Sequence, residues 1–250
     1  MGIKTLVSAK NLQEVDIIIR ENPDILDLKN PLEGSLGAPI IPLIHEVKDR
    51  INSFRKNGKK PIEFSVAIGD FPYLPGTASM AAFGVAHLDV DYIKVGLLGP
   101  KTKEEGIVLS RSIVDAVHEY DHKIKIVIVG YADQREIGAS IDPLIIPEIT
   151  SSSGACIAML DTKQKNGKSL FTHLSMDELH LFVDKCRSQG IGIALAGSLN
   201  FKDLNSINKL QPDIVGVRSM VCEQFDRLHG EMQPDLIRKL KTTVLSELID

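Results

Sequence analysis

A lysine and an aspartate stand two residues apart at the end of a short apolar segment, residues 25–31. Side chains alternate between the two faces of a β-strand, so Asp27 and Lys29 would share one face with Ile25. Charged side chains on a buried strand are costly unless they pair or take part in chemistry. A desolvated lysine beside a carboxylate can form a Schiff base with a carbonyl compound, because its pKa is lowered and a proton acceptor is near. A buried ion pair without chemistry is the alternative that this segment alone leaves open.

The composition is that of a globular protein without general affinity for nucleic acid. The chain has 250 residues, 43% of them hydrophobic, and a net charge of -4. A mildly acidic chain does not attract phosphate backbones or anionic membranes, so we expect no nucleic-acid or membrane partner. No segment approaches the roughly 20 apolar residues of a membrane helix, and the first apolar run is too short for a signal peptide. We therefore expect a cytoplasmic protein.

Cysteine and histidine spacing predicts no metal centre and no disulfide framework. The three cysteines are far apart and contain no CxxC pair, which favours reduced thiols. His118 and His122 are four residues apart but lack an evident third ligand, so an exposed helix face is the preferred interpretation. We expect neither a metal nor a cofactor.

Short apolar segments alternate with amphipathic ones along the whole chain. This alternation predicts a parallel sheet, and eight repeats in a chain of this length favour an α/β fold of the closed (β/α)₈ TIM-barrel type, with residues 1–250 as one domain. A doubly wound open sheet is the alternative, but no GxGxxG follows the first strand. The predicted strands are residues 3–8, 25–29, 62–68, 92–97, 124–129, 157–162, 191–196 and 214–217.

Helix signals support the same repeat. Ser175 and Glu178 form a predicted capping box, and Asn200 is a candidate cap for the helix carrying Leu204. Pro234 suits the first turn of a last helix that bears apolar residues at helical spacing. These apolar residues are Leu236, Ile237, Leu240, Val244 and Leu248.

In a TIM barrel the active site lies at the carboxyl ends of the strands, so the candidate site residues are those at or just after the predicted strand ends. Lys94 is a second inward lysine, because alternation turns Ile93 and Val95 toward the helices. One amine near another lowers its pKa and favours a neutral nucleophile, whereas a structural salt bridge is the alternative. The strand ends also deliver Asp70, Tyr131, Asp133, Asp161, Gly197, Ser198, Gly216 and Arg218.

The last two strand ends occupy the usual phosphate position of this fold, where backbone donors meet an anion. The loop after the sixth strand carries Lys163, Lys165 and Lys168, which are either solvated or directed at a phosphate. The residues alone therefore indicate a site for phosphorylated carbonyl compounds with an amine nucleophile. Aldol-type carbon–carbon chemistry, or elimination through an imine, is the corresponding reaction class.

Residues 27–38, DLKNPLEGSLGA, resemble the D-x-K-N-P-x-E-G-S-L-G-A signature of the (5-formylfuran-3-yl)methyl phosphate synthase family. Residues 69–77, GDFPYLPGT, are similar to its G-D-x-P-Y-x-P-G-T motif. The resemblance continues in order through YIKVGL at 92–97, GYAD at 130–133, PLIIP at 143–147, AMLDT at 158–162, LAGS at 195–198 and DIVGVR at 213–218.

The resemblance implies a TIM-barrel lyase that condenses two glyceraldehyde 3-phosphate molecules into 4-(hydroxymethyl)-2-furancarboxaldehyde phosphate, with release of phosphate and water, for methanofuran-type cofactors of one-carbon metabolism. It implies that Lys29 forms the Schiff base and Lys94 accepts a proton. Asp27, Asp161 and Lys165 would support the chemistry. We expect substrate or phosphate contacts from Asp70, Tyr131, Asp133, Lys168, Gly197, Ser198, Gly216 and Arg218. Barrels of this kind often assemble, so we expect a homo-oligomer.

Two features depart from the family pattern. Lys163 adds a positive charge, and residues 219–227 after Arg218 contain no glycine where the family is more glycine-rich. Glycine eases close backbone approach to a phosphate, so substrate preference can shift here. A class I aldolase-like lyase acting on another phosphosugar and a non-catalytic phosphosugar-binding protein are the competing hypotheses.

Overall fold

Eight parallel strands close into a barrel in the computed structural model, which describes residues 2–55 and 60–245. Each strand pairs with the next in sequence, and the last pairs with the first, with Leu6 opposite Gly216. The strands are β1 Lys4–Ala9, β2 Ile25–Leu28, β3 Glu63–Asp70, β4 Tyr92–Gly96, β5 Lys125–Tyr131, β6 Ile157–Asp161, β7 Gly192–Leu195 and β8 Ile214–Val217. The predicted TIM barrel is confirmed, and each predicted strand overlaps an observed one.

Helices cover the outside of the barrel between successive strands. Within the described ranges they are α1 Leu12–Glu21, α2 Ile41–Arg55, α3 Pro75–Ala86, α4 Lys103–Tyr120, α5 Gln134–Ile137, α6 Ile146–Ser153, α7 Leu170–His173, α8 Met176–Ser188, α9 Leu204–Leu210 and α10 Pro234–Leu245. In these ranges no helix has the length and apolar character needed to cross a bilayer.

Strand alternation divides the core into two layers, as the sequence predicts. Leu26 and Leu28 belong to the outer layer between strands and helices, and Ile25 belongs to the layer inside the barrel. On β4, Ile93 and Val95 likewise lie in the outer layer, so Lys94 between them points inward. The barrel therefore holds charged side chains inside an apolar shell.

The predicted helix caps are confirmed. Ser175 and Glu178 form a reciprocal capping box at the start of α8. Asn200 caps a 3₁₀ turn, Phe201–Asp203, that leads directly into α9. Pro234 is the first residue of α10, whereas Leu248 lies outside the described residues.

The sequence pattern predicts no helix between β5 and β6, where the structure contains α6. Its sequence ends in Thr150 followed by three serines, residues with low helix propensity. Packing compensates, because the Thr150 hydroxyl is buried and donates to the Ile146 carbonyl at 2.8 Å. Tertiary burial thus stabilises a helix that local preference does not predict.

Candidate active site

A buried carboxylate joins four neighbouring strands at the centre of the barrel. Asp27 on β2 is fully buried and accepts hydrogen bonds from Ser8 Oγ of β1 at 2.8 Å and Ser65 Oγ of β3 at 2.9 Å. Lys94 Nζ of β4 lies 2.7 Å from Asp27 Oδ2. Burial would raise the pKa of Asp27, but the charges of Lys94 and Lys29 outweigh it and hold the pKa below its ordinary value. Asp27 is therefore ionised and paired with Lys94.

Lys29 directly follows β2, and its amine, unlike that of Lys94, is not paired with a carboxylate among the described residues. The residue is 6% exposed, and its backbone N–H donates to the Ala9 carbonyl at 3.1 Å. Its amine makes no hydrogen bond or ion pair with the part of the chain that the structure describes. Burial lowers the pKa of Lys29 well below its ordinary value, and the charges of Lys94 and Arg227 lower it further, against the opposing effect of Asp161. This combination favours a neutral, nucleophilic amine.

A second carboxylate–amine pair lies at the end of β6. Asp161 Oδ1 accepts Lys165 Nζ at 2.7 Å and the Thr162 N–H at 2.7 Å. Burial raises the pKa of Asp161, but Lys165, Lys29 and these hydrogen bonds lower it to about 2. Burial and the charge of Arg227 lower the pKa of Lys165, although Asp161 opposes them. Lys165 therefore turns into the site instead of extending into solvent.

Lys163 pairs with a carboxylate that lies beside the central cleft, Asp70, which also accepts a hydrogen bond from Tyr131. Its ammonium group is ion-paired with Asp70, and the Tyr131 hydroxyl donates to the other oxygen of the same carboxylate. A side chain at Gly96 would collide with both Asp70 and Tyr131, so glycine is required there. The extra charge of Lys163 is thus balanced by Asp70, and neither Asp70 nor Tyr131 lines the central cleft.

The central cleft opens at the carboxyl ends of the strands. Its charged lining contains both site lysines of β2 and β4, together with Asp161, Lys165 and Arg227. Its floor is apolar, with Leu6, Met159 and Ala196. The cleft thus combines an apolar base with an excess of cationic side chains, which suits an anionic substrate that carries a reactive carbonyl.

The turn after β7 lines this cleft and depends on glycine. Gly197 has a φ of +107°, and a Cβ atom there would lie 3.0 Å from Thr162 Cγ2. The following residue, Ser198, has a φ of +48° and places its hydroxyl 3.3 Å from Thr162 Oγ1. On β8, a Cβ at Gly216 would lie 3.3 Å from Ala196 Cβ, so glycine leaves space at the cleft floor.

Arg218 lines the cleft, but its guanidinium group is already occupied. It donates to Glu14 Oε2 and Oε1 at 2.6 and 2.9 Å, to the Ser8 carbonyl at 2.9 Å and to the Arg227 carbonyl at 2.7 and 3.2 Å. An arginine has five N–H donors, so none is left for a phosphate in this conformation. The side chain instead ties the loop after β8 to β1 and α1.

Two other predicted substrate contacts have protein partners outside the cleft lining. Asp133 accepts the backbone N–H groups of Lys163 and Gln164 at 2.8 and 2.7 Å, so it positions the loop after β6. Lys168 is exposed and lies 2.8 Å from Glu136. The structure therefore brings Lys29, Lys94, Asp161 and Lys165 together in one cleft, with Asp27 buried behind Lys94. It leaves Asp133 and Lys168 outside this cleft.

Sequence analysis did not single out Arg227 or Glu14. Arg227 lies in a loop of 3₁₀ turns, where no periodicity predicts the direction of a side chain. Glu14 resembles any acidic residue in the first turn of a helix. Among the described residues, no group of three His, Cys, Asp or Glu side chains could hold a metal ion.

Comparison with known proteins connects this site to a family. The sequence profile of 4-HFC-P synthase matches residues 5–241. A (5-formylfuran-3-yl)methyl phosphate synthase from Methanopyrus kandleri is 41% identical over 240 residues, covering 96% of this chain and 98% of the relative. The protein of that name from Methanococcus aeolicus is 45% identical over 235 residues, covering 94% and 97%.

Among solved structures, 3-hexulose-6-phosphate synthase from Salmonella typhimurium superposes with a TM-score of 0.67 and covers 98% of this chain and 99% of its own. Only 15% of the residues are identical, so this likeness concerns the barrel fold alone.

Proposed function

The chain belongs to the 4-HFC-P synthase family, and from that premise we propose that it condenses two molecules of glyceraldehyde 3-phosphate into 4-(hydroxymethyl)-2-furancarboxaldehyde phosphate. The two three-carbon units supply the six carbons of the product. The atom balance requires the release of one phosphate and two water molecules. The product would enter the biosynthesis of a methanofuran-type cofactor.

The observation that carries this proposal is the buried amine of Lys29, which has no hydrogen-bond or ion-pair partner among the described residues. Burial of Lys29, which is 6% exposed, lowers the pKa of its amine and so makes the neutral form that attacks an aldehyde easier to reach. The paired lysines Lys94 and Lys165 are less available as nucleophiles, because each is 2.7 Å from a carboxylate. The three lysines of the cleft thus have distinct roles.

The first steps follow from these roles. Lys29 adds to the aldehyde carbon of one triose, and the carbinolamine loses water as Lys94 donates a proton to the departing hydroxyl. The resulting iminium withdraws electrons, so neutral Lys94, held by Asp27, can remove a proton from the adjacent carbon. The enamine then attacks the second aldehyde and forms the carbon–carbon bond.

The later steps need proton transfer to leaving groups. The Lys165–Asp161 pair lies on the same cleft and can donate a proton to a departing phosphate or hydroxyl. Elimination of phosphate, cyclisation, dehydration and release of Lys29 then give the aromatic ring. Each positioned proton transfer contributes a factor of about 10²–10⁴ in rate.

The test is incubation of the purified protein with glyceraldehyde 3-phosphate alone. We expect an ultraviolet-absorbing furan aldehyde phosphate, identified by mass, and one phosphate released per furan. Lys29→Met is the matched control and should give neither. A borohydride-trapped adduct without furan would replace the proposal with the class I aldolase-like lyase, and absence of both adduct and furan would contradict it.

A further inference from the structure

Arg227 is buried in the cleft, and among the described residues its charge has no hydrogen-bonded or ion-paired partner. The residue is 8% exposed, and its Nη2 atom is fully buried without a hydrogen-bond acceptor. No hydrogen bond or ion pair of its side chain occurs within residues 2–55 and 60–245. By contrast, every donor of the neighbouring Arg218 is used. A buried cation without an acceptor is costly, so a ligand that supplies the acceptor is expected.

The nearby carboxylates do not supply that acceptor. The charge of Asp161 attracts Arg227, but Asp161 Oδ1 already accepts hydrogen bonds from Lys165 Nζ and the Thr162 N–H. Asp27 is taken by Lys94 and two serines. Asp226, the adjacent residue in sequence, accepts the backbone N–H groups of Leu228 and His229. Among the described residues, the guanidinium group of Arg227 therefore has no carboxylate partner, and the residue lines the cleft.

Arg227 also stands between two cavities. It lines the central cleft that holds Lys29, and it lines an outer cavity whose wall includes Lys202 and Phe225. Lys165, Ser198 and Ser219 line both cavities as well. A group bound by Arg227 would thus lie beside the reacting amine, with hydroxyl and ammonium donors on the same wall.

From these observations we propose that Arg227 binds the phosphate monoester of the substrate and makes the site select phosphorylated over unphosphorylated aldehydes. A guanidinium group matches two phosphate oxygens at once, which an isolated ammonium does not. The identity of the aldehyde rests on the proposed function, but the anion site does not. This assignment replaces Arg218, whose donors are occupied, as the arginine that contacts phosphate.

The first experiment needs no turnover. The thermal midpoint of the wild-type protein is measured against inorganic phosphate, and we expect it to rise with concentration because phosphate binds the folded protein. Arg227→Met should lose this rise. Arg135→Met is the matched control, because Arg135 is an exposed arginine on α5 that lines neither cavity, and it should keep the rise.

The stability of Arg227→Met without phosphate separates binding from a structural role. The substitution removes no hydrogen bond of the described residues and removes an unpaired buried charge. We therefore expect a thermal midpoint equal to or above that of the wild type. A strongly lowered midpoint would indicate a structural arginine and would overturn the assignment. If Arg227→Met does not fold, Arg227→Gln undergoes the same two measurements.

The second experiment uses substrate. We expect Arg227→Met to raise the KM for glyceraldehyde 3-phosphate about 10- to 100-fold, the range for loss of a charge-assisted hydrogen bond. Arg227→Lys should recover part of this loss. Borohydride trapping of Lys29 should favour glyceraldehyde 3-phosphate over glyceraldehyde in the wild type but not in Arg227→Met.

The outcomes distinguish this inference from the proposed function. Furan formation with an unchanged KM in Arg227→Met would overturn the inference and leave the function standing. Arg227-dependent phosphate binding without furan formation would reject the function and leave the anion site standing.

Discussion

Lys94 Nζ lies 2.7 Å from Asp27 Oδ2 inside the barrel, with strand β3 between the two strands that carry them. Strand alternation places Asp27 on the same face as Lys29, but the Asp27 carboxylate is paired with Lys94. Lys29 is consequently left unpaired among the described residues, although it is also buried. The pair thus explains why the two inward lysines of the barrel differ in chemistry. It also predicts that replacing one lysine and replacing the other change the stability of the fold in opposite directions.

Replacing Lys29 with methionine should abolish adduct formation and leave the fold intact or more stable. The substitution removes a buried amine that has no acceptor in the part of the chain that the structure describes, and a buried polar group without a partner costs about 1–3 kcal/mol. We expect the free energy of unfolding at neutral pH to rise by a similar amount, measured by urea denaturation. A loss of stability would contradict the unpaired state of Lys29.

Replacing Lys94 with methionine should have the opposite effect on stability. It leaves the fully buried carboxylate of Asp27 without its ionic partner, and breaking a buried pair in this way costs about 3–5 kcal/mol. Asp27→Asn in the same background removes the orphaned charge and should restore much of the loss. Urea denaturation of the single and double variants measures this coupling. If Asp27→Asn changed the free energy of unfolding equally in the wild type and in Lys94→Met, the coupling would be ruled out.

Adduct formation should depend on the protonation of Lys29. The neutral amine attacks, so the initial rate of borohydride-quenched adduct formation should fall as pH falls through the lowered pKa of Lys29, with a midpoint well below 10.5. The negative charge of Asp161 raises this pKa, so Asp161→Asn should move the midpoint to lower pH. Asp115→Asn, at an exposed position on α4, is the matched control and should not shift it.

Asp161 should contribute to acid stability in a defined window. Its pKa is about 2 in the folded protein and 3.8 in its ordinary state. A lowered carboxyl pKa stabilises the fold above pH 3.8, and this contribution is lost as pH falls from 3.8 toward 2. Above this window, we expect the free energy of unfolding of the wild type to exceed that of Asp161→Asn by roughly 2 kcal/mol. Within the window, this difference should shrink. A difference that urea denaturation finds constant across this range would contradict the assignment.

Arg218→Met should destabilise the protein, whereas Arg227→Met should not. Glu14 is 6% exposed and depends on Arg218 for both of its short contacts at 2.6 and 2.9 Å. Its removal leaves a buried carboxylate unpaired, at a cost of about 3–5 kcal/mol. Chemical denaturation should show this loss, and Glu14→Gln should recover part of it. Equal stability of the two arginine variants would refute the difference in their roles.

The barrel and the inward direction of its strand residues could be predicted from local sequence patterns. Period-two alternation of apolar residues placed Asp27 and Lys94 inside, because a strand with buried outer residues can turn its other face only toward the barrel axis. Caps at Ser175 and Asn200 were also readable, since they depend on residues only three positions apart. These are local properties of the chain.

The pairing of the charged groups, by contrast, depends on tertiary contacts. Strand-end position predicts a phosphate contact for Arg218, but Glu14 occupies this arginine in the structure. The loop pattern alone leaves Lys165 either solvated or at a phosphate and the family resemblance gives it a supporting role, whereas the structure shows that Asp161 draws it inward. No local pattern points to Arg227, because its surroundings come from loops and strands far apart in sequence. Periodicity specifies the face of an element but not the atoms opposite it, because those are set by strand register and loop packing in the closed barrel.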